Sequence, residues 1–376
     1  MMSISLVGHP YAPIGMGEHV RCTFRSLRSV AHTPRLHDIY RLNEPDDAQR
    51  LEFAPFESSE GADVNVFHIN GDEVEQALAH LGDAHAAGYN IVYPLWELAR
   101  YPASWAAELE RFEEVWAPSR FVRDSIVAST RMPVIHMPLA CEVLLTSFLG
   151  RRHFGIAEAA YTFLFFFDLR SYTSRKNPQA VVEAFRDLVR IRPNANVALV
   201  IKVNGAELAL DAFQTLQGSL ADLDDRIVLI SRNMSDNEVK NLVRCCDCFV
   251  SLHRSEGFGF GIAQAMSLNK PVIATGYSGN TDFMAEGTCF VVGYDLVPVA
   301  DGAYPHGENQ VWADPSIDDA VGHMARLVDS PRLGYDVGKK AGRHIRAHFS
   351  LRSTGMRVVR RLNEIVTLRT ATPRPA

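Results

Sequence analysis

The chain has 376 residues, 47% of them hydrophobic, with 38 Lys+Arg against 44 Asp+Glu and a formal net charge of −6. At roughly 100–200 residues per domain that length predicts two domains of similar size. The ordinary apolar fraction, with 25 glycines and 19 prolines, excludes a disordered, collagen-like or low-complexity chain.

Short β-type runs alternate with helical stretches along the whole chain, the pattern of open parallel sheets with crossover helices. In the first half the strands read Ile4–Val7, Val64–Ile69, Ile91–Tyr93, Val115–Ala117 and Val134–Met137. Helices are expected over Glu18–Val30, Asp72–Ala86, Trp105–Arg111 and Arg120–Ser129, the last capped by Ser119. The stretch Pro138–Ala157 has no clear period and reads as a linker. Beyond it strands are expected at Thr162–Phe167, Val197–Lys202, Ile227–Ile230, Cys248–Leu252 and Val272–Ala274. The helices between them read Pro178–Ile191, Glu207–Leu220, Asp236–Cys246 and Ile262–Leu268. Ile317–Val328, Leu333–Ala347 and the Arg-rich Leu351–Leu368 close the chain as helices. Two doubly wound domains in series follow, and the absence of a 20–50-residue repeat excludes a solenoid.

Charge is unevenly placed. From Ala341 onward eight arginines face one acid, Glu364, so the tail carries +7 and residues 1–340 carry −13. This argues against a dispersed nucleic-acid-binding protein and leaves a local contact by the tail open. Arg21, Arg25 and Arg28 also share one face of the first helix, at i, i+4 and i+7. A solvated or domain-packing face and peripheral contact with an anionic membrane are the two readings of this basic character. Six cysteines are too sparse for a disulfide scaffold, and Cys245, Cys246 and Cys248 lack a second ligand pair, so buried thiols are expected rather than a metal site. The start, MMSISLVGHP, has no basic n-region or long apolar h-region, and the apolar runs Tyr161–Phe167 and Val197–Ile201 are far shorter than the ~20 residues of a membrane span. A soluble, cytoplasmic protein is expected.

Two glycine loops carry the chemistry. After the first strand, GHPYAPIGMGEHVR places Gly15 and Gly17 immediately before a helix, where backbone N–H groups and the positive helix end meet an anion or polar ligand. It is a poor dinucleotide fingerprint: the loop is too long, Val20 stands at the third glycine, and Asp38, about 20 residues on, is weak support. A tight strand–helix turn is the competing reading. The second loop, SLHRSEGFGFGIAQAMSLNKPVIATGYSGN, follows the strand ending at Leu252 and leads through Gly257, Gly259 and Gly261 into a helix. Ligands of open α/β sheets bind at such strand ends, and glycines let backbone amides approach a pyrophosphate. Glu256 offers an acceptor for sugar hydroxyls, and Gln264 lies about two helical turns on.

This segment resembles the EX7E signature of retaining nucleotide-sugar glycosyltransferases of the GT4 family, which have the GT-B fold. The family pattern E-G-F-G-x-x-x-x-E-A-M-A-x-G-x-P-V-I-A-T aligns with the twenty residues from Glu256 to Thr275, among them Phe258, Gly259, Phe260 and Gly261. The second glutamate is replaced by Gln264. In the family that carboxylate holds the donor ribose, and an amide keeps the hydrogen bonds but loses their charge assistance. SYTSRKNP resembles the loop that grips the donor diphosphate, with Arg175 and Lys176 as cations and Arg170 as a third; a solvated basic turn is the alternative. Arg232, after the strand Ile227–Ile230, falls where such enzymes seat the base. Ser278, Gly279 and Asn280 belong to the loop that faces the diphosphate and sugar. PLWELARYPASW and EEVWAPSRFVRDSI resemble a bacterial O-antigen and polysaccharide branch, with Trp96 and Glu97 projecting into the cleft. His68 or Asn70, at a strand end, contacts the donor sugar by the same resemblance; a structural histidine is the alternative.

The resemblance implies two Rossmann-like domains facing across a cleft: an acceptor-binding domain at 1–145, a donor-binding domain at 158–348, and a helix and tail at 349–376 that cross back to the first. It implies transfer of a hexose, mannose from GDP-mannose first and UDP-sugars behind it, to a glycan or lipid-linked acceptor in cell-surface polysaccharide (lipopolysaccharide) biosynthesis. Glu256, Lys176 and Arg175 are the implied catalytic residues. No cofactor is implied. Asp222-Leu-Asp224 is formally a metal-binding DxD, but it precedes a strand and reads as a polar turn, so no metal is implied. A non-hydrolysing nucleotide-sugar epimerase and a weakly active nucleotide-sugar-binding subunit are the rival functions.

Overall fold

The structure, a computed structural model, describes residues 2–371. It divides into two compact units, each built around one six-stranded parallel sheet.

The first unit comprises Met1–Trp96, Arg100–Cys141 and Ala347–Ala376. Its strands are β1 (Ile4–Gly8), β2 (Arg35–Asp38), β3 (Val64–Phe67), β4 (Tyr89–Val92), β5 (Glu114–Ala117) and β6 (Val134–His136), in the order β2-β1-β3-β4-β5-β6. All five pairings are parallel. Parallel strands are covered on both faces, which is why β1, β3 and β5 are buried at every position. β2, which the sequence does not announce, reads Arg-Leu-His-Asp and buries only Leu36 fully. It exists because β1 offers it a parallel edge.

The last helix, Leu351–Ala371, packs along the first, Gly15–Ser29. Gly355 makes the approach close: a Cβ there would stand 2.2 Å from the Ser26 carbonyl oxygen. Arg361 fastens the same helix to β5. Its guanidinium reaches Glu114, which is fully buried and also accepts from the indole of Trp116 at 2.6 Å and the hydroxyl of Tyr89 at 3.2 Å. The basic face of the first helix is likewise used inside the unit. Arg21 donates to the carbonyls of Pro10 and Ala12 at 2.8 and 3.0 Å. Arg25 forks onto Glu52 with two 2.7 Å bonds. Arg28 lies over the Phe56 ring, 5.0 Å from its centroid.

The second unit comprises Glu97–Ala99 and Glu142–Arg346. Its strands are β7 (Tyr161–Asp168), β8 (Val197–Asn204), β9 (Ile227–Ile230), β10 (Cys248–Ser251), β11 (Val272–Thr275) and β12 (Phe290–Val292), in the order β12-β11-β10-β7-β8-β9. An antiparallel pair, β13 (Tyr294–Pro298) and β14 (Val311–Pro315), is added to it. The core joins Phe163, Phe165 and Phe167 of β7, alternate residues of β8, the helix Pro178–Ile191 and the helix Ile317–Asp329.

Most sequence-expected elements appear within a few residues of their ends. Asp72–Ala86 is shorter than expected: a helix over Val74–Leu81 ends at Gly82, which has φ 56°, and a 3-10 turn over Gly82–His85 follows. A helix over Asp47–Phe53, capped at both backbone groups by Asp46 and Gln49, was not expected. Of the stretch read as a linker, residues 138–141 group with the first unit, and from Glu142 on it is anchored to the second. The amide of Thr146 donates to Asn237, that of Leu149 to Asn241, and Arg151 donates to the carbonyls of Ala157, Glu158 and Ala160. All six cysteines are free thiols; five are buried and Cys289 is partly so.

Candidate functional site

In each sheet the order in which strands are added reverses at one place: between β1 and β3 in the first, between β7 and β10 in the second. There the loops leaving neighbouring strands diverge to opposite faces and open a crevice, where open α/β sheets bind ligands.

At the second reversal point the two sequence-predicted loops meet. The loop after β7 ends in a single helical turn, Thr173–Lys176, bracketed by Tyr172 at φ 57° and Asn177 at φ 54°. Those left-handed residues turn the backbone sharply enough to aim both cations back at the strand ends. The loop after β10 brings Glu256 to them. Lys176 Nζ lies 2.5 Å from Glu256 Oε1, and Arg175 Nη1 lies 3.2 Å from Oε2. Arg175 Nη1 also donates to the Ser255 carbonyl at 3.0 Å, and the Arg175 carbonyl accepts from the Arg254 amide at 2.8 Å.

Burial pushes the Glu256 carboxyl up, but the charges of Lys176 and Arg175 outweigh it and bring it down to about 2. Burial lowers the Lys176 ammonium, against the pull of Glu256. Burial also lowers the Arg175 guanidinium, and there Glu97 and Glu256 prevail and raise it. Glu256 is therefore a fixed anion at neutral pH, able to accept hydrogen bonds but not to give a proton.

The loop after β11 holds Glu256 by its backbone. The Glu256 amide donates to Ser278 Oγ at 2.8 Å, and its carbonyl accepts from the Gly279 amide at 2.8 Å. A Cβ on Gly279 would stand 2.1 Å from the Gly257 carbonyl oxygen, so the approach requires glycine. Ser278 sits at φ 72°, ψ −149°, a conformation costly for a side-chain-bearing residue and typical of functional loops. Asn280 Oδ1 accepts from His253 Nε2 at 2.9 Å, while Ser251 Oγ donates to His253 Nδ1 at 3.0 Å, a buried pairing in which burial lowers the histidine pKa.

The remaining predicted residues of this unit are placed around that centre. Gly259 (φ 95°) caps the helix Phe260–Ser267, and Gly261 lies so near Phe166 that a Cβ would approach it to 2.8 Å. Phe258 is buried, its ring against those of Phe260 and Phe283. Gln264 is partly buried on the helix and takes no part in the hydrogen bonds just described. Arg170 is half exposed and forks onto Asp168 at 2.9 and 2.6 Å. Arg232 is held on Glu238 at 2.7 Å, with His153 on the same oxygen at 3.0 Å.

Glu97 groups with this unit. Its side chain accepts from the Tyr304 hydroxyl and lies 3.7 Å from Arg175 Nη2, and its carbonyl accepts from Ser255 Oγ. The sequence reading missed Tyr304 and Lys202. Tyr304 lies between β13 and β14, with no motif to mark it. Lys202, 2% exposed near the end of β8, donates to the Val203 carbonyl and Asn204 Oδ1, and burial pulls its pKa down to about 8. A lysine inside an otherwise apolar strand was its available signal.

At the first reversal point, Gly17 packs against the Ala12 carbonyl, where a Cβ would come within 2.0 Å, whereas Gly15 is exposed with nothing within 4 Å of its own. His68 is fully buried at the end of β3, edge-on to His19 at 4.6 Å, and burial lowers its pKa to about 3. Asn70 braces the chain by accepting from the Leu95 amide at 2.9 Å. Trp96 is buried among Tyr101 and Trp105, with its indole N–H on the Arg100 carbonyl at 2.9 Å. Asp222 is bound by Arg186 at 2.6 and 3.0 Å, and the Asp224 side chain lies outside the described residues. Among the described residues no helix is long and apolar enough to cross a membrane.

The loops that build the second site are matched as a unit. Residues 161–303 fit the family model described as Glycosyl transferases group 1. The chain carries a glycosyltransferase domain. No curated protein matches the chain by sequence. Among solved structures, Anabaena HepE in complex with UDP and glucose is similar over 97% of this chain and 100% of its own, with a TM-score of 0.71 at 12% identity. Sucrose-phosphate synthase from Thermosynechococcus elongatus is similar over 98% and 100%, with a TM-score of 0.66 at 12% identity. A glycosyltransferase from Rickettsia africae is similar over 97% and 99%, with a TM-score of 0.64 at 12% identity. At such identity the likeness is one of fold, and the fold is GT-B. Family match and fold together support a glycosyltransferase enzyme.

Proposed function

We propose that this glycosyltransferase moves a hexose, with retention of anomeric configuration, from a nucleoside diphosphate sugar to a glycan or lipid-linked saccharide. The observation that carries the reading is the Arg175–Lys176–Glu256 cluster at the β7/β10 reversal point, two cations fixed by one ionised carboxylate. Departure of a nucleoside diphosphate needs positive charge fixed where negative charge develops, and Arg175 and Lys176 supply it. The acceptor oxygen attacks the anomeric carbon from the face the diphosphate leaves. The bond to the phosphate oxygen breaks with its electron pair, and that oxygen takes the acceptor proton.

Glu256, ionised and held by its own backbone, orients the donor sugar and supports the positive charge of the transition state. Gln264 serves the ribose hydroxyls through its neutral amide. In this reading residues 158–348 bind the donor and residues 1–145 the acceptor. GDP-mannose is the first donor, from the sequence resemblance; UDP-glucose is the second, because HepE is also known in complex with it.

The test is a panel of nucleoside diphosphates in thermal-shift titration, followed by nucleotide-sugar assays with and without acceptor glycan. A shift by one diphosphate and its acceptor-dependent release from the matching sugar are expected. Conversion of the donor alone to a new sugar assigns an epimerase, and binding without turnover assigns a binding subunit; either overturns the proposal.

A further inference from the structure

Two anions, not one, face the cations of the second unit. Glu256 is held on Lys176 at 2.5 Å and on Arg175 at 3.2 Å, and its backbone is fixed on both sides by Ser278 and Gly279. Glu97 is different. It stands 3.7 Å from Arg175 Nη2, beyond hydrogen-bond length, yet its position is set: the Tyr304 hydroxyl donates to its carboxylate and the Ser255 hydroxyl to its backbone carbonyl. The Tyr304 ring also lies over the guanidinium, 5.9 Å from ring centroid to Arg175 Cζ.

The guanidinium itself is incompletely used. Nη1 has two good acceptors, Ser255 O at 3.0 Å and Glu256 Oε2 at 3.2 Å. Nη2 has a 3.4 Å contact to the Ser171 carbonyl besides Glu97, and Nε is buried with no hydrogen-bond partner. Nε and Nη2 form one edge of the planar fork, the edge that binds phosphate or carboxylate in parallel pairs. A residue 5% exposed, with Nε unpartnered and Nη2 only loosely engaged on that edge, is set up for an anion.

We infer that Glu97, positioned by Tyr304, competes with the donor diphosphate for the Nε–Nη2 edge of Arg175, and so sets how tightly the site takes a nucleoside diphosphate. The inference rests on the assignment of Arg175 and Lys176 to the diphosphate. With Glu97 and Glu256 present, the charges of the two cations are balanced. An entering diphosphate displaces the less tightly engaged carboxylate, and Glu97 is that one. Tyr304 is a positioning residue: it acts through Glu97.

The experiment is calorimetric titration of the full chain with UDP and with GDP, at fixed ionic strength, for the wild type and four variants. Glu97→Gln keeps the shape and the Tyr304 contact but removes the charge; it is expected to bind the preferred diphosphate roughly three- to tenfold more tightly. Glu97→Asp keeps the charge and stays closer to the wild type, which separates electrostatics from a change in packing. Tyr304→Phe loses only the hydroxyl, frees Glu97 to leave Arg175, and tightens binding by a smaller factor. In the double variant Glu97→Gln/Tyr304→Phe the second change has no further effect, because a residue acting through another shows full coupling with it. Unchanged or weaker binding by Glu97→Gln, equal tightening by Glu97→Asp, or additive effects in the double variant overturn the inference while leaving the diphosphate site standing. A wild type that binds neither nucleotide overturns both.

Discussion

Replacing Lys176 by alanine removes the cation closest to Glu256, whose Oε1 lies 2.5 Å from Nζ. At about 4 Å and an effective dielectric near 20, a cation–phosphate pair is worth roughly 4 kcal/mol. Glu256 already takes part of that field, and Arg175 remains to neutralise it, so the net loss of transition-state stabilisation is about 2–3 kcal/mol, or about 30- to 150-fold in kcat/KM. Global stability should change little. Glu256 keeps Arg175 at 3.2 Å, so the change leaves no buried group without a charge partner. The assay is nucleoside diphosphate release from the preferred donor with acceptor present, beside calorimetric titration with the free diphosphate. Lys176→Arg should recover part of the loss. Turnover and affinity within twofold of wild type in Lys176→Ala would refute the diphosphate assignment.

Further outcomes follow from the same geometry. Gly279→Ala places a methyl 2.1 Å from the Gly257 carbonyl and should cost about 1–3 kcal/mol in a urea melt with loss of diphosphate binding; Gly15→Ala meets nothing within 4 Å and should leave the melt unchanged. Arg361→Ala strands Glu114, which is fully buried, and should destabilise the first unit by about 3 kcal/mol in the same measurement, less in a Glu114→Gln background. His68, lowered to about 3, is neutral when folded and titrates near 6.5 when unfolded, so its contribution is whole above pH 6.5 and is lost as pH falls toward 3. Its share of the stability slope is about 1.4 kcal/mol per pH unit within that window, His19 acts in the same direction, and His68→Asn should flatten stability against pH between 6.5 and 5.

Strand runs such as YTFLFFF and VALVI need no neighbour to be recognised, because burial on both faces writes itself as continuous apolar sequence. β2 and the β13/β14 pair carry no such mark. Arg-Leu-His-Asp becomes a strand only where β1 supplies hydrogen-bond partners, and Tyr294–Pro298 leaves most of its residues exposed. The Glu256 and Arg175–Lys176 loops were both legible, one by its glycines and one by its charges at a strand end. Their meeting was not legible, since 80 residues separate Lys176 from Glu256. Trp96 and Glu97 are sequence neighbours with opposite fates, one packed against Tyr101 and Trp105 and the other set on Arg175.

Residue pattern alone sets the two-sheet α/β class, the order of its main elements and the loops that hold charge and glycine. These are local properties, fixed by the period of apolar residues and by backbone freedom. Tertiary structure alone decided which charges neutralise one another. The eight C-terminal arginines illustrate this, because composition cannot tell a basic surface from a latch. Arg361 is a latch because the folded chain brings it onto a buried glutamate 247 residues away, where an unpaired carboxylate would be too costly to keep.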